Sequence, residues 1–323
     1  MRVLLVKLSS LGDVIHNLPV VSDLARARPE IAIDWAIESP YAEIAALHPA
    51  VKDVLPVPLR RLRKQWWSAP AWREFLASRS RLGERHYDRI LDTQGLIKSA
   101  WVAGWANGPV AGYSRTSARE PLAARFYDQS IEVPRDLHAV TRNRMLASKV
   151  FGYTLTDSVE YGLSAPTQAP AWLPEAPYAV FLHATSRANK RWPDSAWVDL
   201  GTRLQARGLN VMLPWGNGDE RETSQRLAHT RRWAIVPPGM TLADAAAVLA
   251  HAAMVVGVDT GLAHLAVALG RPTIGIYITT RPALTGLFGG GMAVNLGGGS
   301  EDAPSIPDVD AVWHALLPSL NSA

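Results

Sequence analysis

The residues best suited to chemistry lie at the junction Asp259-Thr260-Gly261. Met254 to Val258 is a short apolar run, largely β-branched, which is typical of a strand covered on both faces. Leucine and alanine then recur at helical spacing, so unpaired backbone N–H groups and the positive end of a helix meet at this turn. A phosphate is the natural ligand of such a junction, and His264 adds a ring nitrogen one turn into the helix. A mere N-cap role for Asp259 is the alternative.

Two more segments of the second half could bind a nucleotide. The loop after the strand Phe181–His183 contains Thr185, Ser186 and Lys190, and such hydroxyls and cations ahead of a helix suit a diphosphate. Glu220 follows the next strand, where a carboxylate could accept hydrogen bonds from ribose hydroxyls. A solvated basic loop and an ordinary surface acid are the respective alternatives.

Asp13 is the candidate near the start of the chain. It follows the strand that ends at Lys7, and it opens a helix that we expect to continue past Pro19. A carboxylate at a helix N-terminus most often serves capping and the helix dipole. The functional alternative is a general base that takes a proton from a bound substrate.

Composition narrows the class of protein. The chain has 323 residues and is 48% hydrophobic, enough for two domains of about 150 residues each. It contains no cysteine, which excludes disulfides, thiolate catalysis and cysteine-ligated zinc. The apolar run at Met1–Val6 is too short for a signal peptide, and residues 245–258 fall short of the ~20 needed to span a membrane. We therefore expect a soluble, cytoplasmic protein.

Positive charge is concentrated in the first half. Residues 1–165 carry a formal charge of +5 and residues 166–323 carry −1. Nine of the cations lie in residues 59–89, interleaved with Trp66, Trp67 and Trp72. Arginine with tryptophan suits anionic sugars and phosphates, or the headgroup layer of an acidic membrane. No nucleic-acid-binding module is recognisable, so we expect no nucleic acid partner; a merely solvated basic face is the alternative for Arg79 to Arg89.

Alternating strand and helix patterns predict an α/β protein of two doubly wound parallel sheets. A proline-rich stretch, residues 165–177, separates them and places the domains at 1–165 and 166–307. Residues 308–323 are expected to form a last helix that packs back on the first domain. Ligands of open parallel sheets bind beyond the carboxyl ends of the strands, so we expect the two domains to face each other across a cleft.

Four motifs, taken together, resemble a known family. KLSSLGD near the start, HATSRANKRWP, LPWGNGDE, and VGVDTGLAHLAVALGRPTIGIY occur in the order found in the ADP-heptose:lipopolysaccharide heptosyltransferases. The likeness is greatest to the type that adds the first heptose. It implies a GT-B fold and an inverting, metal-independent glycosyltransferase without a cofactor. Such enzymes work on the cytoplasmic face of the inner membrane and move heptose from ADP-heptose to a Kdo residue of Kdo2-lipid A, in the inner core of lipopolysaccharide.

The resemblance also implies roles for individual residues. Asp13 matches the catalytic base. The donor-binding positions are Thr185, Ser186, Lys190, Glu220, Met240, Asp259, Thr260, Gly261 and His264. The acceptor-binding positions are Arg60, Arg61, Arg63, Lys64, His138 and Arg142. No metal ligand is implied.

Other functions stay open at this point. A heptosyltransferase that adds the second heptose would share the donor but not the acceptor. A nucleotide-sugar epimerase of the same architecture would not need the basic, tryptophan-rich segment, and a non-enzymatic nucleotide-binding or membrane-surface protein would not need Asp13. The family usually has Gly-Pro-Thr after the strand that ends at Tyr277, whereas this chain has Ile278-Thr279-Thr280-Arg281-Pro282. We therefore assign no site residue to that loop.

Overall fold

The structure is a computed structural model that describes residues 1–166, 169–185, 187–289 and 292–321. The chain divides into two compact units, Met1–Ser164 and Ala165–Ala323. The boundary lies one residue from the predicted position. Each unit is built on a six-stranded parallel sheet, so the predicted fold class is confirmed. The predicted cleft between the domains stays a prediction.

The sheet of the first unit has the strand order β3-β2-β1-β4-β5-β6. Its strands are β1 (Arg2–Val6), β2 (Ala32–Glu38), β3 (Val51–Val57), β4 (Arg89–Asp92), β5 (Val110–Tyr113) and β6 (Gln129–Ile131). Val6 lies in register with Ala36 on one side and Asp92 on the other. Apolar residues of β1 are fully buried, as expected of a central strand covered on both faces.

Seven α-helices cover this sheet. They are α1 (Leu11–Ile15), α2 (Leu18–Ala27), α3 (Ala42–Ala46), α4 (Leu59–Lys64), α5 (Ala69–Gly83), α6 (Ile97–Ala103) and α7 (Ala139–Phe151). The expectation that the first helix continues past Pro19 is wrong, because α1 ends at Ile15 and α2 begins at Leu18 with Pro19 in its first turn. Proline has no N–H and fits the first turn of a helix, so it starts α2 here.

A buried ion pair joins α2 to α7. The Arg144 guanidinium donates through Nε to Asp23 Oδ2 at 2.7 Å and through Nη2 to Asp23 Oδ1 at 3.1 Å. Arg144 also donates to the carbonyl oxygens of Thr156 and Ser158. A buried charge is tolerated when its hydrogen bonds are made in this way. The pair fixes the helix that begins beside His138.

The second unit repeats the arrangement with the strand order β12-β11-β10-β7-β8-β9. Its strands are β7 (Tyr178–Leu182), β8 (Asn210–Met212), β9 (Ala234–Ile235), β10 (Met254–Val258), β11 (Thr273–Tyr277) and β12 (Ala293–Gly297). Aromatic rings fill the core beside this sheet. The Phe181 and Trp192 rings each lie 4.9 Å from the Trp197 ring.

In the described part of the second unit, six α-helices accompany this sheet. They are α8 (Asp194–Gln205), α9 (Gly218–Ala228), α10 (Leu242–His251), α11 (Gly261–Ala268), α12 (Pro282–Thr285) and α13 (Val309–Leu320). Helix α10 begins with a capping box: the Asp244 N–H donates to Thr241 Oγ1 at 3.1 Å, and the Thr241 N–H donates to Asp244 Oδ2 at 2.9 Å.

The C-terminal helix α13 belongs to the second unit. Val312 and Leu316 are fully buried in the apolar core that also contains Trp197 and Ile276. The expectation that this helix packs back on the first domain is therefore wrong. An amphipathic pattern shows that a helix has an apolar face, but not which core receives it.

Shortening a buried side chain of α13 should destabilise the second unit. Leu316→Ala removes a fully buried side chain, and we expect a loss of about 2–5 kcal/mol in unfolding free energy. His314→Ala on the exposed face should change it by less than about 0.5 kcal/mol. Guanidinium unfolding of both variants measures the difference, and equal effects would contradict the packing described above.

Candidate functional site

The predicted site residues of each unit follow the carboxyl ends of its parallel strands. All strand pairs in both sheets are parallel, so every loop that follows a strand emerges at the same edge of its sheet. In the first unit this edge carries Asp13, Arg60 and Arg119. In the second unit it carries Lys190, Glu220 and Asp259.

Asp13 lies in the first turn of α1, after β1. Its Oδ2 accepts hydrogen bonds from the Ser10 N–H at 3.1 Å and the Ser10 hydroxyl at 3.4 Å, and lies 3.4 Å from Arg119 Nη1. About a quarter of the Asp13 side chain is exposed. Within the described residues Oδ1 receives no hydrogen bond. The carboxylate is thus held through one oxygen and can accept a proton through the other.

The loop that carries Asp13 is clamped by the turn after β4. Gln94 Oε1 accepts from the Leu8 N–H at 2.7 Å, and Gln94 Nε2 donates to the Ser9 carbonyl at 2.9 Å. Lys98 Nζ donates to Ser9 Oγ at 2.8 Å. One amide side chain thus makes two backbone hydrogen bonds to the loop. These contacts hold in place the loop that leads into α1.

Buried Asp92 organises that turn. Its Oδ1 accepts from the Gln94 N–H at 2.8 Å, and its Oδ2 accepts from the Ser99 hydroxyl at 2.7 Å and the Tyr127 hydroxyl at 2.8 Å. Burial raises the pKa of Asp92, although these donors oppose the shift. Asp92 therefore has a structural role: it positions Gln94 for its hydrogen bonds to the loop that carries Asp13.

Lys7 brings a buried ammonium group to the same loop. Its Nζ donates to the Thr93 carbonyl at 2.9 Å, and the side chain is almost fully buried. Desolvation lowers the pKa of Lys7 to about 8, while the nearby Asp13 carboxylate raises it in part. Asp13 is thus flanked by the charges of Lys7 and Arg119.

The predicted acceptor-binding cations on α4 fall into two groups. Arg60 Nε lies 2.7 Å from the buried Glu38 carboxylate, and Arg61 Nη1 lies 2.6 Å from Glu74. Arg63 and Lys64 are exposed and form no ion pair within the described part of the chain. Of these four cations, Arg63 and Lys64 therefore present to solvent a charge that no acid in the described residues compensates.

His138 and Arg142 support the surrounding backbone. His138 is the N-cap of α7, and its Nδ1 accepts from the Val140 N–H at 3.2 Å. Arg142 donates to the Ser117 carbonyl at 2.5 Å and the Pro134 carbonyl at 3.0 Å. Burial lowers the pKa of Arg142. Arg142 thereby holds the loop that brings Arg119 to Asp13.

In the second unit, Lys190 and Asp259 meet directly. Lys190 Nζ lies 2.5 Å from Asp259 Oδ2, and the Thr280 hydroxyl donates to the same oxygen at 2.9 Å. Both members of the ion pair are more than four-fifths buried. Thr280 lies in the loop to which the sequence analysis assigned no residue. It stands three positions after Tyr277, where the family's turn has its threonine.

Helix α11 begins beside this ion pair. Thr260 is its N-cap and makes no side-chain capping bond, so N–H groups of the first turn are available to a ligand. His264 is buried within α11, and Thr185 is half-buried after β7. Ser186 lies outside the described residues. An anion-binding end and an ammonium group therefore lie together at this edge.

Glu220 is anchored at the start of α9. Its Oε2 accepts from the Gly216 N–H at 2.7 Å, and its own N–H donates to Asn217 Oδ1, the side chain that caps the helix. The carboxylate is partly exposed and can accept further hydrogen bonds. Met240 is partly exposed and immediately precedes the N-cap of α10. A carboxylate held in this way can accept hydrogen bonds from ribose hydroxyls, and the donor-binding roles of Glu220 and Met240 stay predictions.

His183 anchors helix α9 through a hydrogen bond to Ser224. Its Nε2 lies 2.8 Å from the Ser224 hydroxyl, which in turn donates to the Glu220 carbonyl at 3.1 Å. Desolvation lowers the pKa of buried His183 to about 4. A small cavity of about 40 Å³ beside it is lined by residues including Trp192, Glu220 and Arg226.

Sequence analysis missed five residues of these two edges. They are Lys7, Gln94, Lys98, Arg119 and Thr280. Each follows a strand of its unit, which is the one signal available in the sequence. Their partners lie 21 to 106 residues away along the chain.

The two edges differ in chemistry. The first offers a carboxylate that can accept a proton, surrounded by cations that suit an anionic substrate. The second offers an ammonium group and a helix N-terminus, which suit a phosphate or a diphosphate leaving group. A positioned base and an anion site are both parts that a transfer of a phosphate-linked group can use.

Comparison with known proteins identifies the family to which the chain belongs. The model of glycosyltransferase family 9 (heptosyltransferase) matches residues 75–310. The chain therefore belongs to glycosyltransferase family 9 and is a glycosyltransferase, which confirms the resemblance noted in the sequence. This excludes the epimerase and the non-enzymatic alternatives.

Individual relatives match over most of the chain. Lipopolysaccharide heptosyltransferase 1 of Pseudomonas aeruginosa is 48% identical over 95% of this chain and 86% of its own length. The structure of E. coli heptosyltransferase WaaC with ADP matches with a TM-score of 0.90 and 41% identity, over 99% of this chain and 100% of that one. WaaC with ADP-2-deoxy-2-fluoro heptose matches with a TM-score of 0.86 and 40% identity, over 97% and 98%.

Enzymes named for the second heptose are more distant. Lipopolysaccharide heptosyltransferase 2 of Escherichia coli K12 is 23% identical over 88% of this chain and 85% of its own length. The sequence identity of the chain to the Pseudomonas heptosyltransferase 1 is thus about twice its identity to the E. coli heptosyltransferase 2.

The buried His183 predicts a pH dependence of stability. Its pKa is lowered in the folded state, so between about pH 6.5 and 4 the unfolded chain binds more protons and stability falls as the pH falls. Over the whole of this pH range, His183 changes the unfolding free energy by at most about 3 kcal/mol. His183→Gln should flatten this slope, whereas His229→Gln at an exposed position should leave it unchanged. Thermal unfolding between pH 4.5 and 6.5 measures both, and parallel curves for the parent and His183→Gln would refute the assignment.

Proposed function

We propose that this chain transfers L-glycero-D-manno-heptose from ADP-heptose to a Kdo residue of Kdo2-lipid A, adding the first heptose of the lipopolysaccharide inner core. The observation that carries the proposal is the nearly full-length match to a WaaC structure that holds an ADP-heptose analogue. The diphosphate-binding features around Lys190 and the carboxylate at Asp13 fit donor and acceptor respectively.

The proposed reaction is an inverting displacement. Asp13 takes the proton of the acceptor hydroxyl as its oxygen attacks the anomeric carbon, and the bond between that carbon and the diphosphate oxygen breaks. ADP leaves with the bonding electrons. Lys190 and the N-terminus of α11 stabilise the charge that develops on the diphosphate. Asp259 and Thr280 keep Lys190 in place.

The remaining donor residues have proposed positions along the nucleotide. Thr185, Ser186 and the amides of Thr260 and Gly261 contact the diphosphate, Glu220 contacts the ribose, and Met240 packs on adenine. His264 and Asp259 lie toward the heptose and phosphates.

On the acceptor side, Arg63 and Lys64 are the cations best placed for carboxylates and phosphates, because they have no acidic partner in the described residues. Arg60 and Arg61 are each paired with a carboxylate, so they contribute to acceptor binding only the positive charge that the pairing does not compensate. His138 and Arg142 act indirectly, by positioning the loops around Asp13.

We further propose that the transfer needs no metal or other cofactor, since Lys190 and the helix N-terminus can neutralise the leaving group. Turnover in excess EDTA, after gel filtration, should equal turnover with added Mg²⁺. Loss of turnover in EDTA that Mg²⁺ restores would overturn this part of the proposal.

The proposed acceptor is a membrane lipid, so we propose that the protein works at the cytoplasmic face of the inner membrane as a peripheral protein. Among the described residues, no helix is both long enough and apolar enough to cross a bilayer.

The most direct test offers the purified protein ADP-heptose with either Kdo2-lipid A or its monoheptosylated product, and weighs what forms. A mass increase of one heptose on Kdo2-lipid A supports the proposal. A mass increase only on the monoheptosylated lipid would instead assign the second-heptose reaction.

Asp13→Ala should separate catalysis from donor binding. We expect transfer to fall by at least about 10²-fold, because the base is lost, while ADP-heptose affinity stays within about twofold. Asp13→Asn is the matched variant that preserves size and should fall equally. Steady-state kinetics and calorimetry measure the two effects, and full turnover by either variant would remove Asp13 from the base role.

Lys190→Ala should show the opposite pattern in binding. Removing the ammonium group leaves Asp259 unpaired beside the diphosphate, so we expect ADP to bind at least about tenfold more weakly. Arg187→Ala, in the same loop but paired with exposed Glu301, serves as the control. Unchanged ADP affinity for Lys190→Ala by calorimetry would exclude its proposed contact with the diphosphate.

A further inference from the structure

An exposed aromatic surface on the first unit is not used by the chemistry described above. We call it the aromatic face, and it consists of Trp66, Trp67, Trp72, Leu76, Ile97 and Trp101. Trp66 and Trp67 are 67% and 70% exposed, and Trp101 is 49% exposed. Clustered exposed aromatics of this size mark an interaction surface.

The aromatic face is held in place by a hydrogen bond of Trp72 and by ring contacts with Phe75, which is buried. The Trp72 indole N–H donates to the Trp66 carbonyl at 2.7 Å, which ties the turn after α4 to α5. The Trp72 and Phe75 rings lie 5.7 Å apart, and the Phe75 and Trp101 rings stack at 6.0 Å. The face therefore runs continuously from the end of α4 across α5 to α6.

Positive charge borders this face. Arg63 and Lys64 directly precede the two most exposed tryptophans, and Arg73 directly follows Trp72. All three cations are exposed, and none forms an ion pair within the part of the chain that the structure describes. The neighbouring acids are engaged: Glu74 pairs with Arg61, and Glu120 accepts from the Ile97 N–H at 2.6 Å. Glu120 keeps its negative charge, but the three cations without an acidic partner outnumber it, so the net charge of the surface is positive.

The same face continues to the loop of the proposed base. An open groove of about 500 Å³ is lined by Leu96, Ile97, Lys98, Trp101 and Glu120. At its polar end, Lys98 Nζ donates to Ser9 Oγ at 2.8 Å, and Ser9 lies on the loop that carries Asp13. An apolar surface and the catalytic loop are therefore joined by one side chain.

We propose that the aromatic face is the surface on which the protein docks on an anionic lipid bilayer. Tryptophan and adjacent arginine or lysine suit the headgroup layer, where the ring is partly buried and the cation meets lipid phosphates. The inference rests on the proposed function, because a bilayer contact on this side lets a membrane-anchored acceptor reach Asp13 along the Lys98 groove while its acyl chains stay in the membrane.

The test uses the full chain and co-sedimentation with vesicles. The parent should bind vesicles of phosphatidylcholine mixed with phosphatidylglycerol, and bind vesicles of phosphatidylcholine alone much more weakly. Binding to the mixed vesicles should weaken as salt is raised, since the charge contribution is screened. Equal binding to both vesicle types, or none, would overturn the proposal.

The double variant Trp66→Ser, Trp67→Ser tests the surface itself. We expect its apparent affinity for the mixed vesicles to fall at least about tenfold, because two interfacial anchors are lost. Trp172→Ser, which removes an exposed tryptophan of the second unit, is the matched control and should bind as the parent does. Both variants alter exposed side chains, and unchanged thermal unfolding verifies that they fold. Parent-like binding by the double variant would refute the docking surface.

Activity measurements separate this inference from the proposed function. With a deacylated, water-soluble acceptor, the double variant should turn over as the parent does. With the acceptor embedded in vesicles, its turnover should fall with its vesicle affinity. Turnover of the soluble acceptor by neither protein would overturn the proposed function, whereas an equal rate for both on the embedded acceptor would overturn only the docking surface.

Sedimentation velocity excludes a different occupant of the same face. If the aromatic face instead bound a second copy of the chain, the parent would be a dimer and the double variant a monomer. That result would contradict the bilayer assignment; the same oligomeric state for both proteins is the expected outcome.

Discussion

The parallel direction of the strands is the constraint on which both candidate sites depend. In a parallel sheet every strand needs a crossover, and every loop that follows a strand emerges at the carboxyl edge. Asp13 and Arg119 follow β1 and β5, and Lys190 and Asp259 follow β7 and β10. Residues more than a hundred positions apart thereby meet at 3.4 Å, as Arg119 and Asp13 do. The chemistry of each unit is a consequence of sheet direction before it is a consequence of any motif.

Paired charges are a second common feature of the two edges. Lys190 is held by Asp259, and Arg60 by Glu38, so cations proposed to meet anionic substrates already have a carboxylate partner. Such a pair fixes a flexible side chain and limits the desolvation penalty of its burial. It also reduces the net charge that an incoming anion meets. Under the proposed function, affinity for a diphosphate comes from a cation that is positioned in advance, together with the amides of α11, rather than from excess charge.

Much of this arrangement was predictable from sequence, and the exceptions have physical reasons. β10 and α11 are strongly periodic, so the Asp259 junction could be located in advance. The strands β6 and β12 leave a weaker signal in the sequence, because both are edge strands with no buried residue and a weak apolar pattern. Contacts such as Thr280 with Asp259 join separate loops and leave no local signal. The destination of α13 was missed for the same reason, since its apolar face fits either core.

The position of Asp13 illustrates how far local sequence can determine a site. α1 has only five residues, and a helix of that length is not stable by itself. Its orientation must therefore come from elsewhere, and the contacts assign it to Gln94, which binds the backbone of Leu8 and Ser9. Gln94 depends in turn on the buried Asp92 carboxylate, whose burial is tolerated because four donors surround it. A proton acceptor needs freedom at one oxygen and rigidity at its backbone. Here α1 supplies the carboxylate, and the turn after a neighbouring strand supplies the rigidity.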